Sequence, residues 1–229
     1  MLFRSDYLHK GRKVPAVGQA GKIGWYFVHH RLTGELLLKS DEFVEHKNMF
    51  ATPTPEGVMI LPGALGGSNW SPTALDEKKQ VAYVAGIHWP VKYTKKILPA
   101  TSTQPEVTYS NLEPMMDVPR WGAVSAIDLR SGKMRWQSKT PEPLVGGVLA
   151  TSGGLVFVGQ GNGRFSAMDA TSGAELWHDV LDAGVNAPPI SYSIDGIQYV
   201  AVAAGGNQIF GFKQGDFLRV YALPKAGRQ

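Results

Sequence analysis

Few side chains of this 229-residue chain stand where chemistry needs them. Lys22 sits in a glycine-flanked turn, Gly21-Lys22-Ile23-Gly24, and Asn69-Trp70 lies in a second glycine-rich stretch, GGSNWSP at 66–72. By residue type alone, the lysine reads as a solvated turn cation and Asn-Trp as a turn followed by core. His29-His30 does not read as a metal site, because adjacent residues on a strand point to opposite faces. His88, in a long insertion, is a lone loop histidine that could border a substrate mouth. The chain has no cysteine, which excludes disulfides and thiolate metal sites. GQGNG, 159–163, lacks the G-x-G-x-x-G spacing and precedes a strand pattern, so no helix N-terminus is there to cradle phosphate. Gly66-Gly67-Ser68-Asn69-Trp70 fails the G-x-S-x-G nucleophile turn at its last position, and neither H-E-x-x-H nor a P-loop occurs.

The scaffold that must carry these residues is written as a repeat. VSAIDLRSGKMRW (124–136) and FSAMDATSGAELW (165–177) share Asp, Gly and Trp at a spacing of 41 residues. A weaker copy, WYFVHHRLTGELLL (25–38), has Leu38 where the others have Trp. QIFGFKQGDFLRVY (208–221) reads as a last copy keeping only the turn Gln214-Gly215. Short apolar runs such as LVFVG (155–159) and YVAVAA (199–204) read as strands buried on both faces. Asn162-Gly163 and Asp195-Gly196 are hairpin signals, because Asn, Asp and Gly tolerate positive φ. A 41-residue period of four strands predicts a β-propeller blade. In each copy the Asp should accept turn N–H groups, the Gly should take a positive φ, and the outer-strand Trp should pack between blades.

The expected class is therefore all-β, a propeller of four blades at about 1–46, 64–140, 145–182 and 186–224. The second blade carries an inserted loop, 86–120, read as structureless and functional or partner-facing. Composition agrees: 43% hydrophobic and 18% charged residues can bury a core, and 27 Gly with 15 Pro imply many turns. The net charge of +4 is scattered, without the basic stripe and interleaved aromatics of a nucleic-acid binder. No apolar run is long enough to span a membrane, and MLFRSDYLHKGRK does not read as a signal peptide.

These residues resemble the pyrroloquinoline-quinone (PQQ) dependent alcohol and sugar dehydrogenases. The A-x-D-x-x-S-G-x-x-x-W repeats look like that family's tryptophan-docking motif. GGSNWSP, GGVLATSGGLVFVGQGNGRFSAMDATSG and NAPPISYSIDGIQYVAVAAGG read like its C-terminal blades in order. KVPAVGQAGKIGWYFVHHRLTG (13–34) is similar to the segment that follows its catalytic aspartate. The resemblance implies the C-terminal half of an eight-bladed ring, with PQQ on the axis and Ca²⁺ or a lanthanide bound to it. It implies hydride transfer from an alcohol or sugar, a periplasmic setting, and a cytochrome or quinone as electron acceptor. It assigns Lys22 to the quinone oxygens and Asn69 to a cofactor hydrogen bond, with Trp70 bordering the same pocket.

Other expected features of the family are missing. The base, the metal ligands, the adjacent-cysteine disulfide and the stacking Trp would lie upstream of this chain, and Asp6 lacks the base's context. Val145 stands where family members often have Trp, and His29-His30-Arg31 replaces Leu-Asp-Arg. The chain is thus expected to be inactive alone and to need an N-terminal half-propeller partner or a homodimer. The competing expectation is a non-catalytic PQQ-like propeller serving as a protein-interaction scaffold.

Overall fold

The computed structural model describes residues 3–223, and every regular element among them is a strand. Residues 1 and 224, the expected limits of the first and last blades, lie outside the described residues. The first sheet is formed by β1 (Phe3–His9), β2 (Arg12–Ala20), β3 (Tyr26–His30) and β4 (Leu36–Lys39), paired in chain order. After β5 (Val58–Ile60) comes a second sheet of β6 (Ala74–Asp76), β7 (Val81–His88), β10 (Trp121–Asp128) and β11 (Met134–Thr140). The hairpin β8 (Val91–Leu98) and β9 (Val107–Pro114) interrupts it. A third sheet holds β12 (Val148–Ala150), β13 (Leu155–Gly159), β14 (Arg164–Asp169) and β15 (Glu175–Val180). The fourth holds β16 (Ile190–Ile194), β17 (Ile197–Ala204) and β18 (Phe217–Ala222). All strand pairs are antiparallel.

The core lies between sheets. Tyr7, Tyr26, Phe43, Val84 and Ile127 fill the layer between the first and second sheets. Tyr83, Val124, Leu144, Val156 and Met168 fill the next layer, and Phe157, Phe165, Val185 and Val202 the last. β7 and β10 therefore face apolar neighbours on both sides, which explains VAYVAGI and GAVSAI without polar alternation.

Each outer strand seats on a turn of the following sheet. Gly173 has φ +73°, and a Cβ there would stand 2.5 Å from the Trp136 ring. The Trp136 indole N–H donates to Ala170 O at 3.1 Å, and Tyr83 Oη–H donates to the same carbonyl at 3.1 Å. One layer earlier, Leu38 occupies the Trp position and lies against Gly132, whose φ is +76°. Leu has no N–H to offer, so Leu129 O receives only Tyr7 Oη–H, at 2.6 Å. The three outer pairs share a β-bulge at the same place, between Val28/His29, Ala126/Ile127 and Ala167/Met168. The last layer differs. Trp177 meets the edge of Tyr221 at 5.1 Å and stays 42% exposed.

Asp169 Oδ1 accepts Thr171 N–H at 3.0 Å and Ser172 N–H at 2.7 Å, and Asp128 Oδ1 accepts Arg130 N–H at 2.8 Å. His30 holds the corresponding place, with Nδ1 accepting Leu32 N–H at 3.3 Å and Thr33 N–H at 3.2 Å. The departure His29-His30 is thus a substituted turn cap.

Two expectations are corrected. Residues 86–120 are not structureless: Gly86–His88 complete β7, and β8 and β9 pair over eight registered positions beside β5. The Lys-rich, β-branched run 91–98 gains a partner in 107–114, so its backbone groups are satisfied locally. The segment 208–221 is not a fourth copy of the turn motif. Its Gln214-Gly215 lies between the second and third strands of its sheet, whereas the motif joins third to fourth.

Trp136 is partly buried, so replacing it by Ala should destabilise by about 3 kcal/mol, the low end for truncating a large aromatic, and Trp136→Phe by about 1 kcal/mol for the lost hydrogen bond. Chemical denaturation checks both. His30→Asp, which restores a carboxylate cap, should raise Tm. The hydrogen bond from Arg130, with Arg135 beside it, holds the Asp128 carboxyl well below the usual carboxylate range. A depressed carboxylate contributes stability above its unfolded pKa of about 3.9, and that stability is lost as pH falls through the native value. Asp128→Asn should flatten the acid limb of the Tm-versus-pH curve.

Candidate functional site

Consecutive antiparallel strands divide the connections between two faces. First-to-second and third-to-fourth turns lie on one face. Second-to-third loops and crossings between sheets lie on the other. The first set is short and holds the caps just described. The second set contains Lys22, the crossing 40–73, the insertion after β7, Gln160–Gly163, the crossing 181–189 and the loop 205–216. All the chemistry read from the sequence therefore falls on one face.

Lys22 lies between β2 and β3, exposed, and its Nζ reaches Ala64 O at 3.4 Å. Its backbone is held closely, with Lys22 O accepting Gly67 N–H at 2.7 Å. Asn69 follows two residues later on the same strap and is half-buried; its amide has no hydrogen bond among the described residues. Trp70 is half exposed. Ser68, just before Asn69, is buried, with its Oγ unpaired among the described residues. Ser71 is also buried, and its Oγ–H donates to Val145 O at 3.1 Å. The fold thus brings Lys22 and the Asn69 strap together across the first and second sheets. Lys39 covers the face of Trp25 beside this turn, at 3.6 Å.

His88 is a strand residue rather than a loop one. It ends β7 buried, stacked on Trp121 at 4.4 Å and 14°, with Lys139 over the same indole at 4.2 Å. Burial pushes its imidazole below the ordinary value; Glu45 opposes this and Lys139 adds to it.

The roots of the insertion form a cluster that sequence reasoning missed. Trp89 and Arg120 flank β8 and β9, and Arg120 lies over the Trp89 ring at 4.8 Å. Arg120 donates to Phe210 O at 3.4 Å and pairs with Glu142 at 3.6 Å. Trp89 packs on Phe210 at 5.3 Å, beside Phe212, Ile87 and Val145. Val145 therefore sits in an aromatic nest contributed by other loops. The visible signal was the pair of aromatic dipeptides, His88-Trp89 and Arg120-Trp121, at the two ends of the insertion. Next to this cluster, Glu142, Gly161, Asp182, Phe212 and Lys213 line a cleft of about 420 Å³.

Sheets of this order, joined in sequence and packed face to face, define a β-propeller. A family sequence model described as "Glucose/ethanol/alcohol dehydrogenase, beta-propeller domain" matches residues 38–200, and the chain belongs to that PQQ family. A quinoprotein ethanol dehydrogenase of Pseudomonas aeruginosa is 34% identical over 224 residues, covering 87% of this chain and 36% of the relative. A quinoprotein glucose dehydrogenase of Escherichia coli is 27% identical, covering 79% and 28%. The chain thus spans about a third of the length of the relatives it matches. Among solved structures, a europium-containing methanol dehydrogenase matches with a TM-score of 0.75 at 27% identity, over 90% of this chain and 39% of that one. A quinohemoprotein alcohol dehydrogenase of Comamonas testosteroni, at 24% identity and a TM-score of 0.79, covers 99% and 39% and shows the shared fold. No helix among the described residues is long and apolar enough to cross a membrane.

Arg120→Ala should raise amide exchange in the Phe210–Phe212 loop while β13 and β14 keep their protection. Hydrogen-exchange mass spectrometry checks this.

Proposed function

We propose that this chain is the part of a PQQ-dependent alcohol or sugar dehydrogenase that presents Lys22, Asn69 and Trp70 to the cofactor. One observation carries the reading: an exposed, weakly held ammonium and an uncommitted amide stand on two loops joined by the Gly67 N–H to Lys22 O bond. The donor set fits an anionic, planar quinone, since both side chains have hydrogen-bonding capacity left over.

When bound, PQQ would supply the acceptor for a hydride from the substrate's alcohol carbon. Lys22 stabilises negative charge developing on the quinone oxygens, and a cation already in place needs no reorganisation as that charge grows. Asn69 offers two N–H donors and one carbonyl acceptor, which fix the in-plane orientation of what it binds. Trp70 adds an apolar wall at the rim. The base that removes the hydroxyl proton, and the Ca²⁺ or lanthanide with its ligands, belong to the rest of the ring. An N-terminal half-propeller or a second copy of this chain would complete that ring. The natural setting is the periplasm, with electrons passed to a cytochrome or quinone.

The test is a PQQ titration followed by tryptophan fluorescence, beside size-exclusion chromatography. Saturable binding is expected, weakened about tenfold in Lys22→Ala, the scale of one lost charge-assisted contact. Equal binding by Lys22→Ala and Asn69→Ala would overturn the assignment. The chain alone should not reduce an acceptor dye with PQQ and alcohol; dye reduction would overturn the division of the active site.

A further inference from the structure

We propose that the Gly66–Gly67 strap is the positioning element that sets Lys22 against Asn69, with Gly66 as a positioning residue. The inference rests on the cofactor reading of those two side chains and deepens it.

The contacts leave no room for a side chain on the strap. Gly66 has φ +76°, and a Cβ there would stand 2.5 Å from Lys22 Cα and Cβ and 2.6 Å from Cγ. Gly67 donates its N–H to Lys22 O at 2.7 Å. A Cβ on Gly67 would meet Val44 Cγ2 at 2.6 Å and Gly24 Cα at 2.8 Å. Gly67 O accepts Ile87 N–H at 2.8 Å, which ties the strap to β7. From the other side, Phe43 N–H donates to Gly24 O at 2.9 Å. The Lys22 turn is thus enclosed by the strap, by Phe43-Val44 and by the second sheet.

The Lys22 side chain itself has little to hold it, only the 3.4 Å contact to Ala64 O. What locates the ammonium is the position of the backbone beneath it. Asn69 leaves the same strap two residues after Gly67, so one element fixes both donors.

The Gly-Gly pair of the third sheet plays a different part. A Cβ on Gly146 would meet the Asn186 backbone at 3.1 Å, and one on Gly147 would meet Pro72 and Pro188. Gly146 does not have positive φ. The same dipeptide there packs one crossing against another and touches no lysine. The Gly205-Gly206 pair of the fourth sheet does close on a lysine loop, a Cβ on Gly206 standing against Lys213 O, but its contacts are to that lysine's backbone, whereas those of Gly66 reach the Lys22 side chain at Cβ and Cγ.

The test compares Gly66→Ala with Gly34→Ala. Gly34 has nearly the same φ, +77°, but nothing within 4 Å of its Cβ position, so it carries the backbone strain without the contact. Two readouts are taken on the full chain: the rate at which an amine-reactive acylating reagent modifies Lys22, followed by peptide mass spectrometry, and the PQQ dissociation constant. Relative to Gly34→Ala, Gly66→Ala should change Lys22 labelling about threefold and weaken PQQ about tenfold, the scale of a small misplacement of a binding group. Val44→Ala loosens the same junction by removing bulk, and should move both readouts the same way by a smaller factor. It decides the matter if Gly66→Ala does not fold. Labelling and affinity equal to those of Gly34→Ala, in folded protein, overturn the proposal. If wild type shows no saturable PQQ binding, the cofactor reading fails, and labelling alone decides whether Gly66 positions Lys22.

Discussion

Everything in this fold depends on how one sheet seats on the next. An outer-strand side chain lies across a turn whose glycine has no Cβ, and the carbonyl three residues before that glycine takes hydrogen bonds from the preceding sheet. Trp136 over Gly173 with Ala170 O is the fullest case. The contact needs three things together: positive φ, absence of a side chain, and a turn held rigid by a cap. Asp169 supplies the cap by accepting two backbone N–H groups and the Ser172 hydroxyl. A sheet alone exposes two apolar faces, and only neighbours on both sides cover them. The stability of each blade is therefore shared with its neighbours.

That dependence separates the two faces of the ring. The short turns are committed to seating and capping and tolerate little change. The opposite loops carry no such duty, so they can be long and variable. The 40–73 crossing, the β8–β9 hairpin and the 205–216 loop all lie there, with Lys22 and Asn69 among them. The contact proposed for Lys22 and Asn69 would sit on this unconstrained face, where loops position side chains poorly. In this molecule the loops are stiffened by packing on each other: Trp89 and Arg120 grip Phe210, and the glycine strap encloses the Lys22 turn.

Repetition made the blades legible. Asp, Gly and Trp at a spacing of 41 residues gave the period, and the apolar runs gave the strands, because both reflect contacts made once per blade. Departures from repetition were harder. Residues 91–114 form a hairpin whose two strands are mostly exposed, so neither shows the alternation that burial on one face imposes. The 208–221 segment was misread because Gln-Gly marks a turn without saying which two strands it joins. For the proposed site, the sequence singled out Lys22, Asn69 and Trp70, but it did not show what holds them. The closeness of Gly66 to Lys22 joins residues 44 apart in sequence. The Arg120 and Phe210 contact spans 90.

The first sheet shows how a repeat can lose its signature residues and keep its geometry. Leu38 stands where Trp stands in the next two sheets, and His30 where they have Asp. The bulge is retained and the glycine turn still has positive φ. Leu keeps the apolar contact and gives up the N–H donor. Imidazole Nδ1 keeps the acceptor and gives up the charge. His30 caps the first sheet's own turn, whose Gly34 has nothing within 4 Å of its Cβ position, whereas the Leu38 loss weakens the junction that Lys22 and Asn69 straddle. The Gly66–Gly67 strap crosses that junction on the opposite face, where its close contacts offset a weaker seat. The proposed site therefore lies where the repeat has lost its tryptophan, and there the loops share with the repeat in determining how the two sheets meet.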